Sequence, residues 1–265
     1  MVFSDISRKQ AFLTHLAIST CVFFIISYLI FFHWFPDFYF YLDGGIRAIA
    51  TIFFVDVVLG PGLTLLVFKP GKKTLKFDMA VIILLQFSAL SWGLYSVYTE
   101  RSGATVFYYG RFACMAHEDT KTMNMDDIHA GPAGKQWLSF LQRPDTEKDF
   151  FEFSNEAFKH KTGEIYYYRE KITVLDESVV SRLKNYQMNM LKLAEESEGA
   201  VKKVESYLAD HDDVIEHIQL FPLSCRYGFA IVAYDMRELK IVDWIKLKTP
   251  LSIRGEAQDE PLSYE

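Results

Sequence analysis

The stretch from Asp43 to Lys76 leaves this chain few folds to choose from. Its middle, Ile46 to Phe68, is an almost wholly apolar run of 23 residues. As a helix rising about 1.5 Å per residue it spans roughly 34 Å, enough to cross a hydrocarbon core of about 30 Å with some tilt. Asp43, Gly44 and Gly45 precede the run, and Lys69, Lys72, Lys73 and Lys76 close it. Two further apolar segments flank it, at about 11–35 and 77–98. The expected fold class is therefore an α-helical membrane protein: three transmembrane helices in residues 1–99, followed by an α+β domain in residues 100–265.

The middle helix carries its own anomaly. Asp56 falls near the centre of the span, where a charged carboxylate costs at least about 2.5 kcal/mol and normally turns toward protein or water. Beyond it, Pro61 lacks a backbone donor and crowds the carbonyl of Val57, while Gly60 and Gly62 remove side-chain cover, so a kink or local break is expected. Two readings stay open for Asp56. It is either a neutral acid bonded to a neighbouring helix or a functional polar site. Gln86 lies at similar depth in the third segment, so the two are expected to approach, with Ser88, Ser27 or Thr20 as further partners.

Charge placement suggests orientation. Arg8 and Lys9 in the N-terminal tail and the four lysines after the second segment are basic, whereas the first link carries Asp37, Asp43 and a single Arg47. The positive-inside rule then puts the N-terminus in the cytoplasm and the C-terminal domain outside. Asp43 reads as the N-cap of the second helix. Aromatic residues from Phe31 to Tyr41, and Trp92, Tyr95 and Tyr98, read as belts at the outer interface.

From Glu100 onward no spanning segment recurs. Ala104 to Ala113 reads as a strand, Asp119 to Gly134 as loop, Lys135 to Leu141 as a short helix and Glu164 to Val174 as a strand. Glu177 to Leu208 is apolar at helical spacing, and Val214 to Leu220, Tyr227 to Tyr234 and Lys240 to Ile245 read as closing strands with a turn near Asp235 to Glu238. The short links predict a mainly antiparallel sheet.

The formal charge of -6 argues against a nucleic-acid partner. No phosphate loop, nucleophile elbow or paired CxxC unit occurs, so the expectation is a non-enzyme without cofactor or metal. His211, Asp212, Asp213 and His217 lack a ligand spacing and read as a solvated helix end; His117, Glu118 and Asp119 read as a polar loop. An acid–base role for Asp56 or Asp43 would need a second titratable group at the same depth, and only Gln86 is apparent. Cys114 and Cys225 could form a disulfide in an oxidising compartment, but the preferred reading is two separate buried thiols.

Asp43-Gly44-Gly45, the run VDVVLGPGLTLLVFKPGKKTLKFD from Val55 to Asp78, VFYYGRF from Val106 to Phe112 and LFPLSCR from Leu220 to Arg226 together resemble the type IV pilin accessory proteins of the TfpX/TfpZ type. The resemblance implies an inner-membrane, non-enzymatic partner of the major type IV pilin that tunes its stability, assembly or retraction, with residues 100–265 as a periplasmic α+β domain. On that reading a groove built from Asp43, Gly44, Gly45, Asp56, Gly60, Pro61, Gly62 and Gln86 accepts the pilin helix within the lipid bilayer. The alternative is a membrane sensor or small-ligand-binding protein with the outer domain as receiver.

Overall fold

The computed structural model describes residues 6–125, 138–142, 146–159, 169–184, 186, 191, 194–195, 197, 199–210 and 217–250. The chain divides into two units, Met1–Arg101 and Ser102–Glu265.

The first unit contains three helices long and apolar enough to cross a membrane, Arg8–Trp34, Gly45–Val67 and Leu75–Thr99. Helix α1 (Arg8–Leu29) starts at a capping box, in which Gln10 N–H donates to Ser7 Oγ and Ser7 N–H to Gln10 Oε1. Two of the orphan donors at the helix start are thereby satisfied. It continues as a π-helical turn, Ile30–Trp34, and ends before Pro36, where the chain can no longer stay helical.

A short helix, α2 (Phe38–Leu42), follows. Phe38, Tyr39 and Leu42 are fully buried and Phe35 nearly so, so part of the expected aromatic belt is core. Phe31, Phe32 and Tyr41 remain exposed. The Asp43-Gly44-Gly45 corner is turn chemistry. Gly44 has φ 121°, and a Cβ on Gly45 would lie 2.5 Å from the Phe40 ring. Gly44, not Asp43, is the N-cap of α3 (Gly45–Ile52), and no side chain caps it. Asp43 instead ends α2, its N–H donating to the Tyr39 carbonyl at 2.8 Å, and it is buried.

The second long helix consists of α3, a π-helical stretch Phe53–Leu59, and α4 (Gly60–Val67). The break expected at Pro61 therefore takes the form of a widened turn in a continuous helix. The pattern of buried residues accounts for it: Ala48, Ile52, Asp56, Gly60, Thr64 and Phe68 are all buried, each four positions after the last. A regular α-helix turns about 100° per residue, so every step of four overshoots a full turn by about 40° and five steps by about 200°. Wider π turns absorb that drift and keep the set on one face.

Helix α1 runs antiparallel to this second helix. Arg8 Nε donates to the Phe68 carbonyl at 2.8 Å, His15 meets Thr64, and the Phe23 and Phe53 rings lie 5.4 Å apart. Lys72 and Asp78 then pair at 2.6 Å where the chain turns into α5 (Leu75–Thr99). Only 6% of the most apolar part of α5 is buried, with Phe77, Leu84, Phe87 and Trp92 exposed.

Among the described residues the second unit is built on a seven-stranded sheet of order β4-β3-β1-β2-β5-β6-β7. Its strands are β1 (Ser102–Tyr108), β2 (Arg111–Ala116), β3 (Leu138–Leu141), β4 (Ile172–Val174), β5 (Ile218–Cys225), β6 (Gly228–Asp235) and β7 (Lys240–Leu247). The span expected as one strand, Ala104 to Ala113, is a hairpin. Tyr109 and Gly110 both have positive φ, 48° and 76°, the geometry of a two-residue turn that matches strand twist. Residues 138–141 are a strand rather than a helix, and in the described part of the expected 164–174 strand Ile172–Val174 is a strand and Arg169–Lys171 a 3-10 turn. Positions 135–137 and 164–168 lie outside the described residues. Four neighbouring pairs are antiparallel, but β1–β3 and β2–β5 are parallel, so the sheet is mixed. The β6–β7 turn falls where expected, with Asp235 Oδ1 accepting from the N–H groups of Arg237 and Glu238.

Helices α6 (His117–Thr122), α7 (Glu147–Lys159), α8 (Glu177–Lys184) and α9 (Ala200–Asp210) and the 3-10 turn Arg169–Lys171 complete the described elements. His117, Glu118 and Asp119 thus open a helix instead of a loop. On one sheet face, Val204 and Ala200 of α9 pack with Ile231 and Leu247, and Phe153 of α7 packs with Val106, Met115 and Leu141. On the other, Phe140, Phe107, Phe112 and Phe221 form a row of rings across β3, β1, β2 and β5, with centroids 4.9–6.1 Å apart. Each is almost wholly buried, and burying one such ring contributes about 1.5–3 kcal/mol. On this aromatic face Cys114 and Cys225 are bonded to each other, with Cα atoms 4.7 Å apart. The reading of two separate thiols is thereby corrected.

Candidate functional site

The sequence-predicted groove residues fall into two groups within the helical unit. Asp43, Gly44 and Gly45 form the α2–α3 corner. Asp56, Gly60 and Pro61 are buried on the inward face of the second helix, where they meet side chains of α1 and α5. Gly62 points elsewhere: nothing lies within 4 Å of the position its Cβ would take.

His15 organises the inward face. Its Nδ1 and the Thr64 Oγ1 are 2.6 Å apart, and its ring neighbours both the Gln86 amide and the Asp56 carboxyl. The Gln86 side chain lies against Gly60, so that a Cβ there would fall 1.7 Å from Gln86 Nε2. Gln86 Nε2 is buried and finds no hydrogen-bond partner among the described residues. All three long helices therefore meet at one polar cluster: His15 from α1, Asp56 and Thr64 from the second helix, Gln86 from α5.

Gln86 lies against Gly60, four positions after Asp56, and no direct bond between Gln86 and Asp56 occurs among the described residues. Ser88 is exposed, and the hydroxyl of Ser27 is buried without a partner. Thr64 and His15, which sequence reasoning passed over, fill the roles expected of Ser27, Ser88 and Thr20. His15 also corrects the view that no second titratable group shares the depth of Asp56. A carboxylate among apolar helices is tolerable beside a cation or with a proton on it, and an imidazole can supply either. The π stretch places Asp56 there, in a helix form that recurs at functional positions.

In the second unit, His217 contacts Asp235, with Nε2 and Oδ2 3.5 Å apart. It sits at the start of β5, not at a solvated helix end. His211, Asp212 and Asp213 lie outside the described residues.

No protein-family model matches the chain, and no solved structure matches it. Curated relatives do. Over 109 residues the chain is 35% identical to the fimbrial assembly protein of serogroups C1 and C2 of Dichelobacter nodosus, covering 83% of that protein and 38% of itself. The chain belongs to this fimbrial assembly protein family. It is also 34% identical over 121 residues to the family's serogroup I protein and 35% identical over 109 residues to its serogroup E1 protein, both from the same organism. These matches take in 42% and 38% of the chain. The chain spans about half the length of these two members of the fimbrial assembly family, 47% and 42% respectively.

Proposed function

We propose that this protein is a non-enzymatic accessory factor of type IV pilus assembly, held in the bacterial inner membrane with its N-terminus in the cytoplasm and its sheet domain in the periplasm. It binds the major pilin there and modulates the pilin's stability, assembly or retraction. The observation that carries the reading is the 35% identity over most of a fimbrial assembly protein.

The helical unit adds physical support. The Arg8 guanidinium on the Phe68 carbonyl brings both basic clusters to one end of the helices, as a single cytoplasmic face requires. The cation also faces the negative end of α4. Exposed apolar rings on α5 suit lipid contact.

A pilin waits in the membrane as one long apolar helix, and the second helix offers it two unlike sides. The inward side, with Asp56 and Gly60, is filled by His15 and Gln86 of the same chain. The other side is open at Gly62, among exposed Leu59, Leu63 and Leu66. There the missing Cβ permits close backbone approach. The pilin helix docks on the open side, while the polar cluster behind it maintains the π stretch.

Surface pili counted at equal protein abundance test the reading with two variants, Gly62→Leu and Asp56→Leu. Gly62→Leu is expected to lower piliation at least fivefold by blocking approach, and Asp56→Leu to alter it by collapsing the cluster. Unchanged piliation and retraction in both would refute the docking.

A further inference from the structure

The Cys114–Cys225 bond joins the two halves of the sheet. On one side of it stand β4, β3, β1 and β2; on the other stand β5, β6 and β7. Among the described residues the backbone ladder joins the halves at the β2–β5 pairing, which comprises two partnered positions, Phe112 with Leu223 and Ala113 with Ser224, and the Phe107 and Phe221 rings also meet across it. The antiparallel pairs of the second half are far longer: β5 and β6 share eight partnered positions. Extending the parallel register by one residue sets Cys114 opposite Cys225, so the bond continues the ladder just where it ends.

The two cysteines are 111 positions apart in sequence, and a parallel pairing across such a loop forms slowly and late. A slip of two residues would keep the same side chains on the aromatic face, so pattern alone does not protect this register. The covalent bond does.

We propose that this domain is a substrate of an extracytoplasmic thiol–disulfide oxidoreductase, and that oxidation of Cys114 and Cys225 locks the β2–β5 seam. The inference rests on the periplasmic location proposed above. In the reaction, one cysteine thiolate attacks the disulfide of the oxidoreductase to give a mixed disulfide, and the second cysteine attacks that bond in turn. One protein disulfide forms, two protons and two electrons leave the pair, and the oxidoreductase departs as a dithiol. Cys21, exposed in α1, takes no part.

The full-length chain with Cys21→Ser, made in cells with and without their thiol oxidase, provides the test. Alkylation of the denatured protein with a mass-tagged maleimide should add no tag in oxidase-containing cells, two tags after reduction, and two tags in cells lacking the oxidase. Two tags in oxidase-containing cells, or none in cells lacking it, overturn the proposal.

An Arg237→Cys variant locates the domain independently, since that side chain sits on the exposed β6–β7 turn. Labelling of intact cells by a membrane-impermeant maleimide places the domain outside. Labelling only after lysis refutes the location on which the inference rests, whereas a labelled reporter beside free Cys114 and Cys225 refutes the bond alone. For the seam itself, tryptic loss of the native sheet domain in detergent should accelerate about 30-fold or more when the full-length protein is reduced; an unchanged rate contradicts the locking role.

Discussion

His15, Asp56, Thr64 and Gln86 are polar side chains that three apolar helices gather at one place, with His15 bonded to Thr64, and Gly60 makes the room that Gln86 occupies. With Gln86 lying 1.7 Å from where a Gly60 Cβ would be, Gly60→Ala must push the amide out of its place beside His15. We expect that substitution to destabilise the detergent-solubilised protein, and to do so far less in a Gln86→Ala background. A double-mutant cycle read by thermal unfolding should show a coupling of about 0.5–3 kcal/mol, and additive effects would remove Gln86 from the notch. Asp56 and Gln86 were legible as costly polar residues at one depth. His15 was not, because its contact with Thr64 depends on the rotation of two helices and the antiparallel pairing of positions 8 with 68 and 15 with 64, which no local pattern encodes.

A second residue-scale prediction concerns Tyr234, fully buried in the aromatic row with its hydroxyl unpartnered among the described residues. Burial first, and the neighbouring Asp235 second, push the hydroxyl well above the ordinary tyrosine range. The unfolded chain therefore gives up this proton before the folded one. Stability from this group is intact below about pH 10 and declines as pH rises beyond it, by up to about 1.4 kcal/mol per pH unit. Denaturation series from pH 8 to about 11.5 should show a shallower alkaline loss for Tyr234→Phe, with stability near pH 7 equal or higher because an unpaired hydroxyl has gone. Parallel curves for the two proteins would count against it.

At the scale of elements, the π stretch Phe53–Leu59 is the feature that turns a four-residue spacing into a single buried face. Deleting Val58, an exposed residue within it, removes the extra residue that a widened turn accommodates. The prediction is a regular α-helix that still inserts, with membrane abundance within about twofold, and lowered piliation because Asp56 leaves His15. Normal piliation would make the widened turn a packing detail. The sequence-level expectation of a disturbed helix near Pro61 came from the missing donor, and that reasoning located the irregularity to within a turn. It could not tell a break from a widened turn, since the answer lies in what the inward face packs against. The β1–β2 hairpin was hidden for a different reason: Tyr109 occupies a positive-φ position usually held by glycine, asparagine or aspartate, so its aromatic ring reads as strand.

For the whole molecule, the apolar periodicity of residues 6–101 and the change in composition near Glu100 carry most of the architecture, three long helices followed by a sheet-containing domain. The parallel pairings β1–β3 and β2–β5 and the disulfide were not legible, because each joins positions far apart in sequence whose proximity is decided by the whole sheet. The proposed membrane role turns on where a second helix can approach the helical unit, and the open side at Gly62 offers close backbone contact. A photoreactive amino acid placed at position 62, and as a control at the exposed Leu84 of α5, can be activated in cells that are making pili. The account predicts a pilin adduct from position 62 and much less from position 84. Equal capture at both positions, or no pilin at position 62 when the protein is present at its normal level, would contradict it.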